Sequence, residues 1–135
     1  MSWLLNIIYL VVLTLAAPWL LWRRWRRGKR VGGLWAKLTG QVSPNKFKDQ
    51  SQPIWLHAVS VGEVLLLQPV IRQLQSHYPS TTLYLSVTTA TGREVAEKTY
   101  PDLRIIWFPF DFSWAVHRAL EQVNPRLILL AELEL

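Results

Sequence analysis

The sequence contains no cysteine, so disulfides and thiolate metal sites are excluded. It holds no G-x-G-x-x-G and no Walker loop, which argues against a dinucleotide or nucleoside-triphosphate site in this part. No internal repeat or low-complexity tract is present beyond a loose alternation of strand-like and helix-like segments. None of the three histidines has a partner at metal-ligand spacing, so no metal is expected. Acidic residues are scarce, nine against fifteen basic ones. The block Arg23, Arg24, Arg26, Arg27, Lys29 and Arg30 holds six of those fifteen, and the other nine balance the acidic residues. The net charge of +6 therefore belongs to one short segment. A nucleic-acid partner, which needs the charge on a folded domain, is not expected.

Apolar residues are plentiful, and much of the excess lies at the start. Trp3 to Trp22 is twenty residues with no side chain charged at neutral pH. As a helix it would be about 30 Å long, one hydrocarbon core. Trp3, Trp19, Trp22 and Trp25 flank it, as interfacial indoles do, and the basic block follows at once. The charge follows the apolar run, unlike a cleaved signal peptide. Residues 1–30 are expected to form one transmembrane helix with a basic cytoplasmic flank suited to anionic lipids. A shallow interfacial helix is the other reading, favoured by Asn6 and Pro18. Residues 31–53, punctuated by Gly32, Gly33, Gly40, Pro44 and Pro53, read as a connector with one short helix around Leu34 to Leu38.

Residues 54–135 read as α/β. The apolar runs IWLHAVS, LYLSVTT, RIIWFPF and RLILLAELEL alternate with helix-length segments, the pattern of βαβ units around a parallel sheet. Nearly continuous apolar strands imply helices on both faces. Ser60, Thr91 and Ser113 are the expected helix caps, with Glu94 at capping-box spacing from Thr91. Pro125 after Asn124 ends the third helix. Pro69, inside the first helix, should kink it or remove a hydrogen bond.

Ligands of open α/β sheets bind outside the carboxyl ends of the strands. Three loops qualify: 57–63, 88–93 and 131–134. Glu63 beside Gly62 is either a general base or a carboxylate placed for the helix field. Glu132 follows the last apolar run and is either functional or simply the point where the strand meets water; Glu134 would share its face. Thr88, Thr89, Thr91, Gly92 and Arg93 suit either an anion or ordinary capping. His57 reads as a packed histidine.

The segments LHAVSVGE (56–63), PVIRQLQSHYP (69–79), VTTATGRE (87–94), FPFD (108–111) and NPRLILLAELEL (124–135) together resemble the Kdo transferases. That family attaches 3-deoxy-D-manno-octulosonic acid to lipid A precursors. The resemblance implies the N-terminal, Rossmann-like half of a GT-B glycosyltransferase, residues 54–135 being its acceptor-binding domain. It implies transfer from CMP-Kdo to a glucosamine hydroxyl of lipid IVA without a metal or other cofactor. By the same resemblance Glu63 matches the proton acceptor and Glu132 the transition-state stabiliser. Ser60, Gly62, Thr91, Gly92 and Arg93 fall on motif positions as acceptor contacts. The expected partners are a lipid A precursor and membrane lipids at a bacterial inner membrane, with the domain cytoplasmic. Two departures stand out. Leu133 replaces the usual threonine between the paired glutamates, and the W-P-N continuation and the CMP-Kdo domain are absent. The chain is therefore expected to be a fragment or truncated product, inactive alone.

Overall fold

A computed structural model describes residues 7–8, 10–12, 14–16, 33–42 and 52–131. The basic block 23–30, much of the apolar segment 3–22, Glu132 and Glu134 lie outside the described residues. The described parts of the apolar segment are helical, with the Thr14 hydroxyl donating to the Leu10 carbonyl at 2.8 Å. Among the described residues no helix is long and apolar enough to cross a membrane.

The elements run α1 (Leu34–Thr39), β1 (Ile54–Ala58), α2 (Val61–Leu66), α3 (Gln68–His77), β2 (Leu83–Val87), α4 (Ala90–Thr99), β3 (Arg104–Trp107), α5 (Ser113–Val123) and β4 (Leu127–Ala131). The four strands form one parallel sheet in the order β3-β2-β1-β4. The α/β class and the short connector helix follow the sequence pattern. After β1 the chain adds β2 and β3 on one side and then returns to add β4 on the other. The strand order thus reverses between β1 and β4, and such a switch point opens a crevice at the strand tips.

Side chains alternate across the sheet. Ile54, Leu56, Ala58, Leu83, Leu85 and Val87 pack with Val64, Leu67, Ile71, Ala96 and Tyr100 on one face. Trp55, Tyr84 and Ile106 pack with Ala119 and Val123 of α5 on the other. β1 and β2 are wholly buried. β4 departs from the expected two-sided cover: Leu127, Ile128 and Leu130 are 45%, 42% and 59% exposed. Both described core clusters centre on β1, β2 and β3, leaving β4 at the flank.

Helix ends refine the sequence reading. Pro69 does break the first helix, which divides at Leu67 into α2 and α3, leaving proline in the opening turn of α3 where its missing N–H is harmless. The cap of α4 is Thr89, not Thr91. Thr89 has extended backbone angles and its hydroxyl accepts from the Gly92 N–H at 3.0 Å, while Thr91 lies inside the helix. Likewise Ser113 is the first residue of α5, and Phe112 occupies the cap position with no side-chain bond. Asn124 ends α5 in the left-handed region, φ 45°.

Candidate active site

The pairing register brings three strand ends into line. Ala58 lies opposite Val87 on one side and Ala131 on the other. The loops that follow, at Val59–Ser60 and Thr88–Thr89, are therefore neighbours. Glu132 is one position beyond Ala131, outside the described residues.

Glu63 stands at this edge, partly exposed in the first turn of α2. Its carboxylate folds back on the loop before the helix. One oxygen accepts from the Val59 N–H at 2.6 Å and the Ser60 N–H at 3.4 Å. The other accepts from the Ser60 hydroxyl at 3.0 Å. The Ser60 hydroxyl in turn accepts from the Glu63 N–H at 3.3 Å, which completes a capping box. Partial burial pushes the carboxyl up. The bonds from Val59 and from Ser60, with His57 nearby, outweigh it and hold Glu63 below its ordinary value of 4.5. Glu63 is therefore ionised at neutral pH. Its position is that of a helix-starting carboxylate, at the edge formed by the strand tips.

Ser60 and Gly62 are exposed beside it. Gly62 is in open surroundings, since an added Cβ would meet only the Ser60 hydroxyl at 3.8 Å. In the second loop Thr91 is exposed and Gly92 buried. A Cβ at Gly92 would press on the Thr89 hydroxyl at 2.8 Å, so glycine here protects the cap. Arg93 turns along α4 and away from its loop. It donates to Glu97 at 2.7 Å and to the Ile105 carbonyl at 3.3 Å, with its guanidinium 4.9 Å from the Trp107 ring. The structure thus gathers Ser60, Gly62, Glu63 and Thr91 at one edge and commits Arg93 to β3.

His57 is packed, as its place in a strand implies. It is 6% exposed, stacks on Phe108 at 3.8 Å, and its Nδ1 lies 2.9 Å from the Ser86 hydroxyl. The Trp55 indole donates to the same hydroxyl at 2.8 Å. His77 Nδ1 lies 2.9 Å from the Gln73 carbonyl, and His117 Nδ1 is 3.3 Å from Glu121. Among the described residues no cluster of His, Cys, Asp or Glu has metal-holding geometry. An apolar groove of about 470 Å³ on α3, lined by Pro69, Val70, Gln73, Leu74, His77 and Tyr78, includes none of the strand-tip residues.

Sequence reasoning missed Lys37. This lysine of α1 is 8% exposed and donates to the Thr88 carbonyl at 2.6 Å. Its ammonium lies 4.7 Å from the Trp107 ring. The Phe110 N–H also donates to the Lys37 carbonyl at 2.9 Å. The connector is thereby fastened to the site edge. Apolar periodicity gives no sign of this, because α1 buries its lysine and exposes its tryptophan.

A family model described as 3-deoxy-D-manno-octulosonic-acid transferase (kdotransferase) matches residues 23–135. A 3-deoxy-D-manno-octulosonic acid transferase of Bordetella pertussis is 33% identical over 94% of this chain and 32% of its own length. One of Haemophilus influenzae is 38% identical over 62% of the chain and 20% of its length. A bifunctional glycosyltransferase/methyltransferase of Fusobacterium nucleatum is 35% identical over 61% of the chain and 13% of its length. The chain thus spans a third or less of the length of these curated relatives. No solved structure matches significantly.

Proposed function

The chain belongs to the 3-deoxy-D-manno-octulosonic-acid (Kdo) transferase family, and from that premise we propose that it is the acceptor-binding N-terminal half of a GT-B enzyme moving Kdo from CMP-Kdo to lipid IVA. One observation carries the reading. The ionised Glu63 carboxylate stands at the tip of β1, beside the point where the strand order reverses. The coarser part, Kdo transfer in lipopolysaccharide synthesis, is supported by the relatives; donor and acceptor rest on the resemblance.

In this proposal an acceptor hydroxyl approaches the Glu63 oxygen that now takes the Ser60 O–H. A carboxylate oxygen has lone pairs for both donors. Glu63 removes the hydroxyl proton as the oxygen attacks the anomeric carbon of the donor, and CMP departs from the opposite face with inversion. Glu132 is proposed to stabilise the charge that develops. Ser60, Gly62 and Thr91 are proposed to meet the acceptor, Gly92 to hold the loop, and Arg93 to brace it through β3. No metal or other cofactor enters the proposed reaction. The donor would bind in a second domain not represented in these residues.

We further propose that residues 1–30 hold the protein at a bacterial inner membrane in a single pass, with residues 54–135 on the cytoplasmic side. An acceptor drawn from the same bilayer then meets the site at reduced entropic cost. The test uses the full-length enzyme carrying Glu63→Gln. Transfer from CMP-Kdo should be abolished while lipid IVA binding survives. Near-normal turnover removes Glu63 from the mechanism, and parent activity with UDP-sugars in place of CMP-Kdo overturns the donor assignment.

A further inference from the structure

α1 is inverted relative to an ordinary surface helix. Its lysine is buried, while Leu34 and Trp35 are 44% and 73% exposed. Fraying does not explain this, because both ends of the helix are fixed. Gly33 and Gly40 adopt left-handed angles, φ 71° and 66°, with Gly33 against the Trp107 ring and Gly40 against the backbone of Ala115. Lys37 pins the middle to Thr88. At the C-terminal end the Trp114 indole, itself 47% exposed, donates to the Leu38 carbonyl at 3.0 Å. Two tryptophans and a leucine are thus held toward solvent by a rigid support.

The neighbouring sequence says what covers them. Six of the eight residues 23–30 are basic, and Arg30 lies three positions before Gly33. An extended chain covers about 11 Å over three residues, so the sequence keeps Arg30 at least within that reach of Gly33. Indole rings beside a dense cationic block match an anionic bilayer surface. Tryptophan settles at headgroup level, and basic residues are attracted to the negative leaflet.

We propose that the outward face of α1, formed by Leu34 and Trp35 with Trp114 at its end, rests in the interface of an anionic bilayer. The contact makes α1 a foot that fixes the height of the strand tips above the lipid, through the Lys37 to Thr88 bond. It rests on the membrane reading above and adds to it a second, folded point of contact.

The chain has no cysteine, so a single one can be placed at will. Trp35→Cys and, separately, Leu34→Cys carry a nitroxide label in the whole 135-residue chain, with Glu97→Cys as a control on α4, where the native side chain is 52% exposed. Each is mixed with vesicles of phosphatidylcholine alone or with phosphatidylglycerol added, and association is scored by flotation. On anionic vesicles, positions 34 and 35 should be severalfold less accessible to a water-soluble nickel relaxant than position 97, and severalfold more accessible to oxygen. High salt should weaken the difference. A chain that floats while 34 and 35 stay as wet as 97 overturns the foot and leaves the anchor standing. A chain that does not float overturns both. Equal insertion into neutral vesicles, or dipolar broadening that marks a second copy on this face, also overturns the proposal.

Discussion

The Glu63 carboxylate accepts the Val59 N–H at 2.6 Å, reaching back to a residue before the helix that Glu63 helps to start. The side chain proposed as the base is therefore also a structural tie. The proposed catalysis and the folding would draw on the same two oxygens, and the two contributions separate by substitution and by pH.

Glutamine at 63 keeps a carbonyl oxygen for the capping box but loses the charge. At neutral pH, Glu63→Gln should melt within about 1 kcal/mol of the parent, the difference between a charge-assisted and a neutral bond. The folded carboxyl lies below its ordinary value, so its stabilisation is complete above pH 4.5 and is lost as pH falls through the folded value. The gap between parent and variant should therefore close in urea titrations run progressively below pH 4.5. A gap that widens on acidification contradicts the assigned bonds.

Thr89 and Thr91 offer a sharp contrast within one loop. Thr89→Ala removes the side chain that accepts the Gly92 N–H and should cost about 1 kcal/mol. Thr91→Ala, in an exposed first-turn position, should stay within about 0.5 kcal/mol. Thermal melts of the two variants decide which threonine caps α4. Loss of lipid IVA binding in the full-length Thr91→Ala enzyme, without loss of stability, would mark an acceptor contact.

The glycines divide in the same way. Gly40→Ala forces a side chain into the left-handed region and against the Ala115 backbone, and should cost at least about 2 kcal/mol. Gly62→Ala meets only the Ser60 hydroxyl, at an ordinary contact distance of 3.8 Å, and stiffens the unfolded chain, so it should stabilise by about 0.5 kcal/mol. If Gly62 meets the acceptor, the same substitution raises the KM of the full-length enzyme while the melting temperature rises.

Ser86 is 0% exposed and serves Trp55 and His57 together. Ser86→Ala leaves a buried indole N–H without its partner and should cost about 1–3 kcal/mol. Urea unfolding measures the loss, and a shift in the fluorescence of Trp55 should accompany it.

The α/β class was legible because strand-length apolar runs alternate with helix-length segments, and burial of β1 and β2 on both faces demands such runs. Ser60, Glu63 and the effect of Pro69 were legible because each acts within its own few residues. The cap of α4 was not. Thr88, Thr89 and Thr91 all carry hydroxyls, and only the extended backbone at Thr89 decides among them. The exposure of β4 was hidden because an apolar run does not say whether its strand lies in the middle of a sheet or at its flank. Lys37 was hidden because its partner, Thr88, is 51 residues away and is reached only after the sheet has formed.

The hydroxyl at Ser86 has a consequence for how the chain finds its alignment. His57 pairs with Ser86 across β1 and β2, and Trp55 with Tyr84. Sliding β2 by one residue would turn the hydroxyl to the opposite side of the sheet and take it from both rings at once. Leucine and valine tolerate such a slip far better than this trio does. A single small polar atom thus acts as a key, admitting one pairing of two otherwise greasy strands and rejecting its neighbours.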